Sequence, residues 1–195
     1  FGANTLSGDF MTPRTPTLHG IQVQNGILTL EGSHADLNSA DAKNVLVRRQ
    51  EDFVFMAKVV MDCSALQDGQ DAGMTCYYDE NTFVKFGVFA TQEPQPRLIV
   101  KAVEVIGEQV KESGSIELDF RRQDVYLKIE TNDLKRTCYM SYDGKEYIKV
   151  AVLENVYYLC DEGLKKGKRF TGAMIGMYAY AGDFGSRYVD EYGRH

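Results

Sequence analysis

Apolar and polar residues alternate along almost the whole chain, and no segment keeps a 3.6-residue apolar spacing for more than a turn or two. A period of two puts every second side chain on one face of an extended strand, so a chain with this pattern must bury its apolar surface as β-sheet. The first clear unit is Ile21-Gln22-Val23-Gln24 and Ile27-Leu28-Thr29-Leu30, joined by Asn25-Gly26, which supplies the positive φ that a two-residue hairpin turn demands. Strands are predicted next at 45–49 and 52–61. In the second, Phe53, Phe55, Ala57 and Val59 share one face and Val54, Met56, Lys58 and Val60 the other. With both faces largely apolar, 52–61 is expected at the centre of a sheet. Segments 72–78 and 83–90 flank Asp79-Glu80-Asn81-Thr82, side chains that close turns on their own backbone, and read as a second hairpin.

The stretch 92–96 carries two of the four prolines and serves as a surface connection. Strand patterns resume at 98–105, 116–120, 125–130, 138–142 and 147–150, with Asp143-Gly144 as another hairpin turn, and at 156–159, 173–180 and 188–192. About a dozen short strands with turn residues between them, and no repeat of fixed length, favour a two-sheet antiparallel β-sandwich over a barrel or propeller. The 195 residues suit a single domain, 1–195, with a real core.

Charge and composition narrow the function classes. There are 22 basic and 28 acidic residues, a net charge of −6, the wrong sign for gripping phosphates by counterion release, so nucleic acid is disfavoured as a partner. No stretch reaches the roughly 20 apolar residues of a membrane helix, and a membrane role is not expected. Phe1-Gly2-Ala3-Asn4 has no basic region followed by an apolar one, and an opening at Phe1 rather than Met fits an excised piece of a longer product. Cys63, Cys76, Cys138 and Cys160 are widely spaced, lie in or beside apolar runs and form no CxxC pair, so free buried thiols and a reducing, cytoplasmic setting are expected rather than zinc or disulfides.

A catalytic apparatus is hard to find. His19, His34 and His195 stand in no ligand spacing and beside no nucleophile, and none of Ser7, Ser113 and Ser186 lies in a Gly-x-Ser-x-Gly elbow. Gly182-Asp183-Phe184-Gly185 lacks the lysine of a phosphate loop. Glycosidic cleavage asks for two carboxylates about 5 to 9 Å apart. The adjacent pairs Asp161-Glu162 and Asp190-Glu191 diverge on a strand, and the first precedes the basic stretch Lys165-Lys166-Gly167-Lys168-Arg169, as a solvated turn would.

Seven local patterns, in order along the chain, together resemble one family. Leu6 through Phe10-Met11-Thr12-Pro13-Arg14-Thr15-Pro16, Leu28-Thr29-Leu30-Glu31-Gly32, Val45-Leu46-Val47-Arg48-Arg49-Gln50, and Asp71-Ala72-Gly73-Met74 with Tyr77-Tyr78-Asp79 supply the first four. Ser141-Tyr142-Asp143-Gly144-Lys145, Leu159-Cys160-Asp161-Glu162, and Phe170-Thr171-Gly172-Ala173 with Gly176 complete them. The set is similar to the carboxy-terminal concanavalin A-like β-sandwich, or jelly roll, of glycoside hydrolase family 43 enzymes of the β-xylosidase and α-arabinofuranosidase type. Two departures stand out: Phe10 takes a position where tryptophan is frequent, and Tyr188-Val189-Asp190-Glu191-Tyr192 keeps only Asp190 of an acidic pair.

The resemblance implies an accessory role in xylan degradation, without catalytic residues of its own. In that family the catalytic carboxylates belong to an amino-terminal propeller domain, which would be the partner in cis or in trans. A loop of the sandwich helps close the pocket for a xylo- or arabino-oligosaccharide. Carried over residue by residue, that points to Asp161, Glu162 and Phe170 with the loop 163–169; an aromatic ring gives an apolar wall against a sugar C–H face. A core position at the strand start is the alternative for Phe170. No organic cofactor is implied; sandwiches of this type sometimes hold calcium in edge loops, for which Asp79 and Asp190 are the weak candidates beside their simpler reading as turn and strand-end carboxylates. Two other functions compete. One is a free-standing carbohydrate-binding module with Tyr77, Tyr78, Tyr139, Tyr157 and Tyr158 as stacking platforms, one ring of each adjacent pair facing outward. The other is an autonomous hydrolase using Asp161 or Asp190. The absence of tryptophan counts against the binding module.

Overall fold

A computed structural model describes residues 10–12, 20–38, 45–50, 54–92, 94–119, 124–159 and 174–181. Twelve strands and one 3-10 turn occur among the described residues. They are β1 (Ile21–Gln24), β2 (Ile27–Leu30), β3 (Leu46–Arg49), β4 (Val54–Asp62), β5 (Asp71–Asp79) and β6 (Thr82–Thr91), followed by β7 (Arg97–Ile106), β8 (Gln109–Glu117), β9 (Asp124–Asn132), β10 (Lys135–Ser141), β11 (Ile148–Leu153) and β12 (Met174–Tyr180). The 3-10 turn is Tyr157–Leu159.

Two sheets carry the fold. A six-stranded sheet has the order β3-β12-β5-β6-β7-β8 and a four-stranded sheet the order β11-β10-β9-β4; β1 and β2 form a separate ribbon. Every strand pair is antiparallel. The period-two pattern explains the packing. Met74, Cys76 and Tyr78 of β5, Val84, Phe86 and Val88 of β6, and Leu98, Val100 and Ala102 of β7 enter one buried cluster with Val125, Leu127 and Ile129 of β9 and with Cys138 and Met140 of β10. This is the all-β sandwich expected from the alternation. The other face of the six-stranded sheet is also covered: Leu37, Val45, Val47, Tyr77, Phe83, Val103, Val105, Met174 and Tyr178 form a second cluster. Cys63, Cys76 and Cys138 are free and buried, and burial pushes the Cys63 thiol up to about 12. Cys160 lies outside the described residues.

Three expectations change. β4 is an edge strand of its sheet, not a central one, and its outward Val54, Met56 and Val60 are exposed. β8 begins at Gln109, well before the predicted 116, because an edge strand exposed on most positions needs no apolar alternation. Residues 157–159 make a 3-10 turn instead of a strand.

The turns follow the sequence chemistry. Asn25 and Gly26 have φ of 52° and 75°, as the hairpin requires. The β10–β11 connection is longer than a two-residue turn and is closed by Asp143. Its Oδ1 accepts hydrogen bonds from the Ser141 hydroxyl at 2.9 Å and from the Lys145 and Glu146 N–H groups at 2.8 and 3.0 Å. The Glu146, Lys145 and Ser141 donors hold the exposed Asp143 carboxyl down at about 2. A folded pKa below the unfolded 3.8 gives stability that is present above pH 3.8 and lost as pH falls toward 2. Asp143→Asn is therefore expected to lower the urea midpoint at pH 7, with a difference from wild type that shrinks steadily between pH 4 and 2. A constant difference across that range would show that the charge contributes nothing.

Candidate functional site

The strand registers define two ends of the sandwich. At one end Met174 opens β12 opposite Tyr77 and Arg49, while Tyr77 faces Phe83 and Thr82 faces Ile106. The Gly107 N–H donates to Asn81 O at 2.6 Å, joining the β5–β6 and β7–β8 turns. The 3-10 turn reaches the same end: the Val156 N–H donates to the carbonyl of Leu134, in the β9–β10 turn, at 2.8 Å, and the Leu159 N–H to Val156 O at 2.9 Å. Leu159 and Met174, the two described residues that flank 160–173, thus both stand at this end.

Buried polar groups tie the end together. Tyr158 is 4% exposed, and its hydroxyl donates to Oε1 of Glu104, itself 8% exposed. Burial, then the Glu104 carboxylate, pushes the Tyr158 phenol far above its usual range. Arg136 is 2% exposed; its Nη1 donates to Asp133 O at 2.7 Å and its Nη2 to Gln50 Oε1 at 3.0 Å. Gln50 follows β3 of the six-stranded sheet and Arg136 lies on β10 of the other, so this bond spans the sandwich. A buried guanidinium with such partners fixes geometry and offers no reactive group. Glu104 is likewise engaged inside the protein, a positioning role rather than an acid–base one.

Of the sequence candidates, Asp161, Glu162, Phe170 and Asp190 lie outside the described residues. Asp79 is buried, and its Oδ1 accepts the Asn81 N–H at 2.8 Å, which is the turn role. Among the described residues no three His, Cys, Asp or Glu side chains converge around a common point. The tyrosine platforms fare poorly. Tyr77, Tyr78 and Tyr158 are 6%, 1% and 4% exposed, because β5 is covered on both faces and Tyr158 turns inward to Glu104. Tyr139 is half-buried, with Lys128 Nζ 4.4 Å from its ring centroid. The Tyr157 side chain lies outside the described residues. Sequence reasoning missed Arg136 and Glu104. The available signal was a charge at an apolar beat of a strand: Arg136 precedes Cys138 and Met140 in phase, and Glu104 follows Leu98, Val100 and Ala102.

Comparison with known proteins agrees with this architecture. The family described as beta xylosidase C-terminal concanavalin A-like domain matches residues 1–190. A relative named xylosidase/arabinosidase 43B, from Humicola insolens, is 30% identical over 184 residues, covering 89% of this chain and 34% of its own. The crystal structure of the GH43 protein BlXynB from Bacillus licheniformis superposes with a TM-score of 0.83 at 31% identity, covering 91% of this chain and 34% of that one. A xylan beta-1,4-xylosidase from Bacillus halodurans, at 24% identity and a TM-score of 0.81, shares the fold. The chain spans about a third of the length of the curated relatives it matches.

Proposed function

The chain belongs to the beta xylosidase C-terminal concanavalin A-like domain family, and we propose that it is the non-catalytic sandwich of a family 43 glycoside hydrolase, packing on a catalytic propeller and helping to close its sugar pocket. The carrying observation is the match over residues 1–190, together with relatives about three times as long. The residues assigned to the pocket are Asp161, Glu162 and Phe170 with the loop 163–169 between them, Phe170 as an apolar wall against a xylo- or arabino-oligosaccharide. Two features support the assignment. Leu159 and Met174, the described residues on either side of the stretch that holds this loop, stand at one end of the sandwich, and buried bonds hold that end: Tyr158 to Glu104, and Arg136 to Gln50. Burial of three of the five named tyrosines counts against the stacking-platform module, to which it leaves Tyr139 and Tyr157.

The test is Phe170→Ala in the intact two-domain enzyme. Loss of a pocket wall is expected to lower kcat/KM for an aryl xyloside by about ten- to a hundredfold with Tm unchanged. A large fall in Tm with activity per folded molecule retained would assign Phe170 to the core and sink the pocket-closing role.

A further inference from the structure

The two long sides of the sandwich differ. On one, Gly114 of β8, with φ of 62°, lies so close to β11 that an added Cβ would overlap the Val150 carbonyl oxygen. Among the described residues the other side carries the edge strands β3 and β4, of which only β3 is flanked, by a short bridge from Met11 to Val47. On β4, Ala57, Val59 and Met61 pack against the core, yet Val54, Met56 and Val60 on the outer face are 69%, 54% and 57% exposed. A long apolar edge strand invites pairing and aggregation unless something covers it.

Three observations point to the cover. The first is the path of the chain. The Met11 N–H donates to Val47 O at 2.8 Å and the Val47 N–H to Met11 O at 2.9 Å, an antiparallel bridge. β3 runs toward the end where Arg49 faces Met174, so Phe10 and Met11 run away from that end, and a domain preceding them approaches from it. β4 starts at the same end, with Val54 opposite Asn132 beside the β9–β10 turn. The second is length: the chain covers 34% of each curated relative, which leaves room for a large domain outside it. The third is charge. Arg48 and Arg49 on β3 and Lys58 in the β4 row are exposed cations in a chain of net charge −6. A second copy fits badly, because β4 paired edge to edge about a two-fold axis over its nine residues sets Lys58 against Lys58.

We propose that the β4 side, Val54 to Val60 with Met11 and β3 beside it, is the surface on which the preceding catalytic domain packs, through an apolar face with carboxylates opposite Lys58, Arg48 and Arg49. An apolar centre rimmed by charge is the usual anatomy of such an interface. The inference rests on the accessory reading and adds to it the surface and the chemistry of the partner.

The test compares hydrogen exchange in this chain alone and in the intact two-domain enzyme, each as wild type, Met56→Glu and Val110→Glu. Met56 and Val110 are 54% and 66% exposed, so a charge at either leaves the fold intact, and Val110 lies on β8, at the other side. In the wild type the β4 amides are expected to exchange at least about tenfold more slowly in the intact enzyme than in the chain alone. Met56→Glu is expected to remove most of that protection and Val110→Glu to leave it. Protection at β8 and not at β4, or protection at β4 that Met56→Glu leaves untouched, would overturn the surface while the accessory reading stands. No added protection anywhere would overturn both. Protection of β4 that appears in the chain alone as its concentration rises would give the row to a second copy and overturn the proposal.

Discussion

Replacing Lys85 by methionine is expected to remove about 3–5 kcal/mol of stability, enough to lower Tm by roughly 6–20 °C in a domain of this size. Lys85 projects from β6 onto the outer face of the six-stranded sheet with a side chain only 6% exposed. Its ammonium lies 2.9 Å from Asp71 and 2.6 Å from Asp36. The rings of Tyr178, Tyr180 and Phe89 surround it at 5.0, 5.2 and 5.8 Å. Burial already pushes the Asp71 carboxyl up, and the pull of Lys85 is the largest influence opposing that shift. Methionine preserves much of the volume and the ring contacts, so the loss isolates the charge. Removing one partner of a buried pair leaves the other uncompensated, which costs more than the pair contributes. Urea unfolding of the single variant and of the Lys85→Met/Asp71→Asn double variant checks this. The double variant is expected to recover most of the loss; additive losses would mean that Lys85 acts through packing alone.

Gly176→Ala is the second large effect, expected to cost about 3 kcal/mol or more. Gly176 sits in β12 between Val47 of β3 and Thr75 of β5. An added Cβ would overlap the Leu46 carbonyl oxygen and stand 2.7 Å from the Val47 Cα. Backbone cannot swing aside as a side-chain tip can, so β3 and β12 must part and their ladder weakens. Gly26→Ala is the control. Its Cβ meets nothing within 4 Å, and only the positive φ of 75° is strained, a cost of about 1–2 kcal/mol. Equal midpoints for the two variants in guanidinium would show that the crowding at Gly176 relaxes freely.

Gly176 shows why much of this fold was legible. It closes the run that begins at Phe170 and was read as part of a family pattern, and its place between two strands gives that pattern a steric cause. Hairpins were legible for the same local reasons: Asn25-Gly26 and Asp79 through Asn81 close on their own backbone. What escaped reading was set by the whole sheet. β4 looked central because both its faces are largely apolar, yet it lies at an edge with Val54, Met56 and Val60 in the open. β8 was half missed because an exposed edge strand owes its shape to pairing with β7, which leaves no apolar rhythm behind. Tyr77 and Tyr78 do point to opposite faces, but the second core cluster covers the face expected to be open. At the end that carries Tyr158 and Arg136 the pattern Val45 through Gln50 was legible, but the role of Gln50 was not. Its partner Arg136 is 86 residues away on the other sheet.

We propose that this chain assists a glycosidase without being one. The most direct measurement is release of the aryl group from an aryl β-xyloside by the purified chain, alone and after addition of a catalytic propeller domain. No turnover above background is expected from the chain alone, and activity in the mixture that belongs to the propeller and rises with the sandwich present. Turnover by the chain alone, abolished by Asp161→Asn or Asp190→Asn, would contradict it.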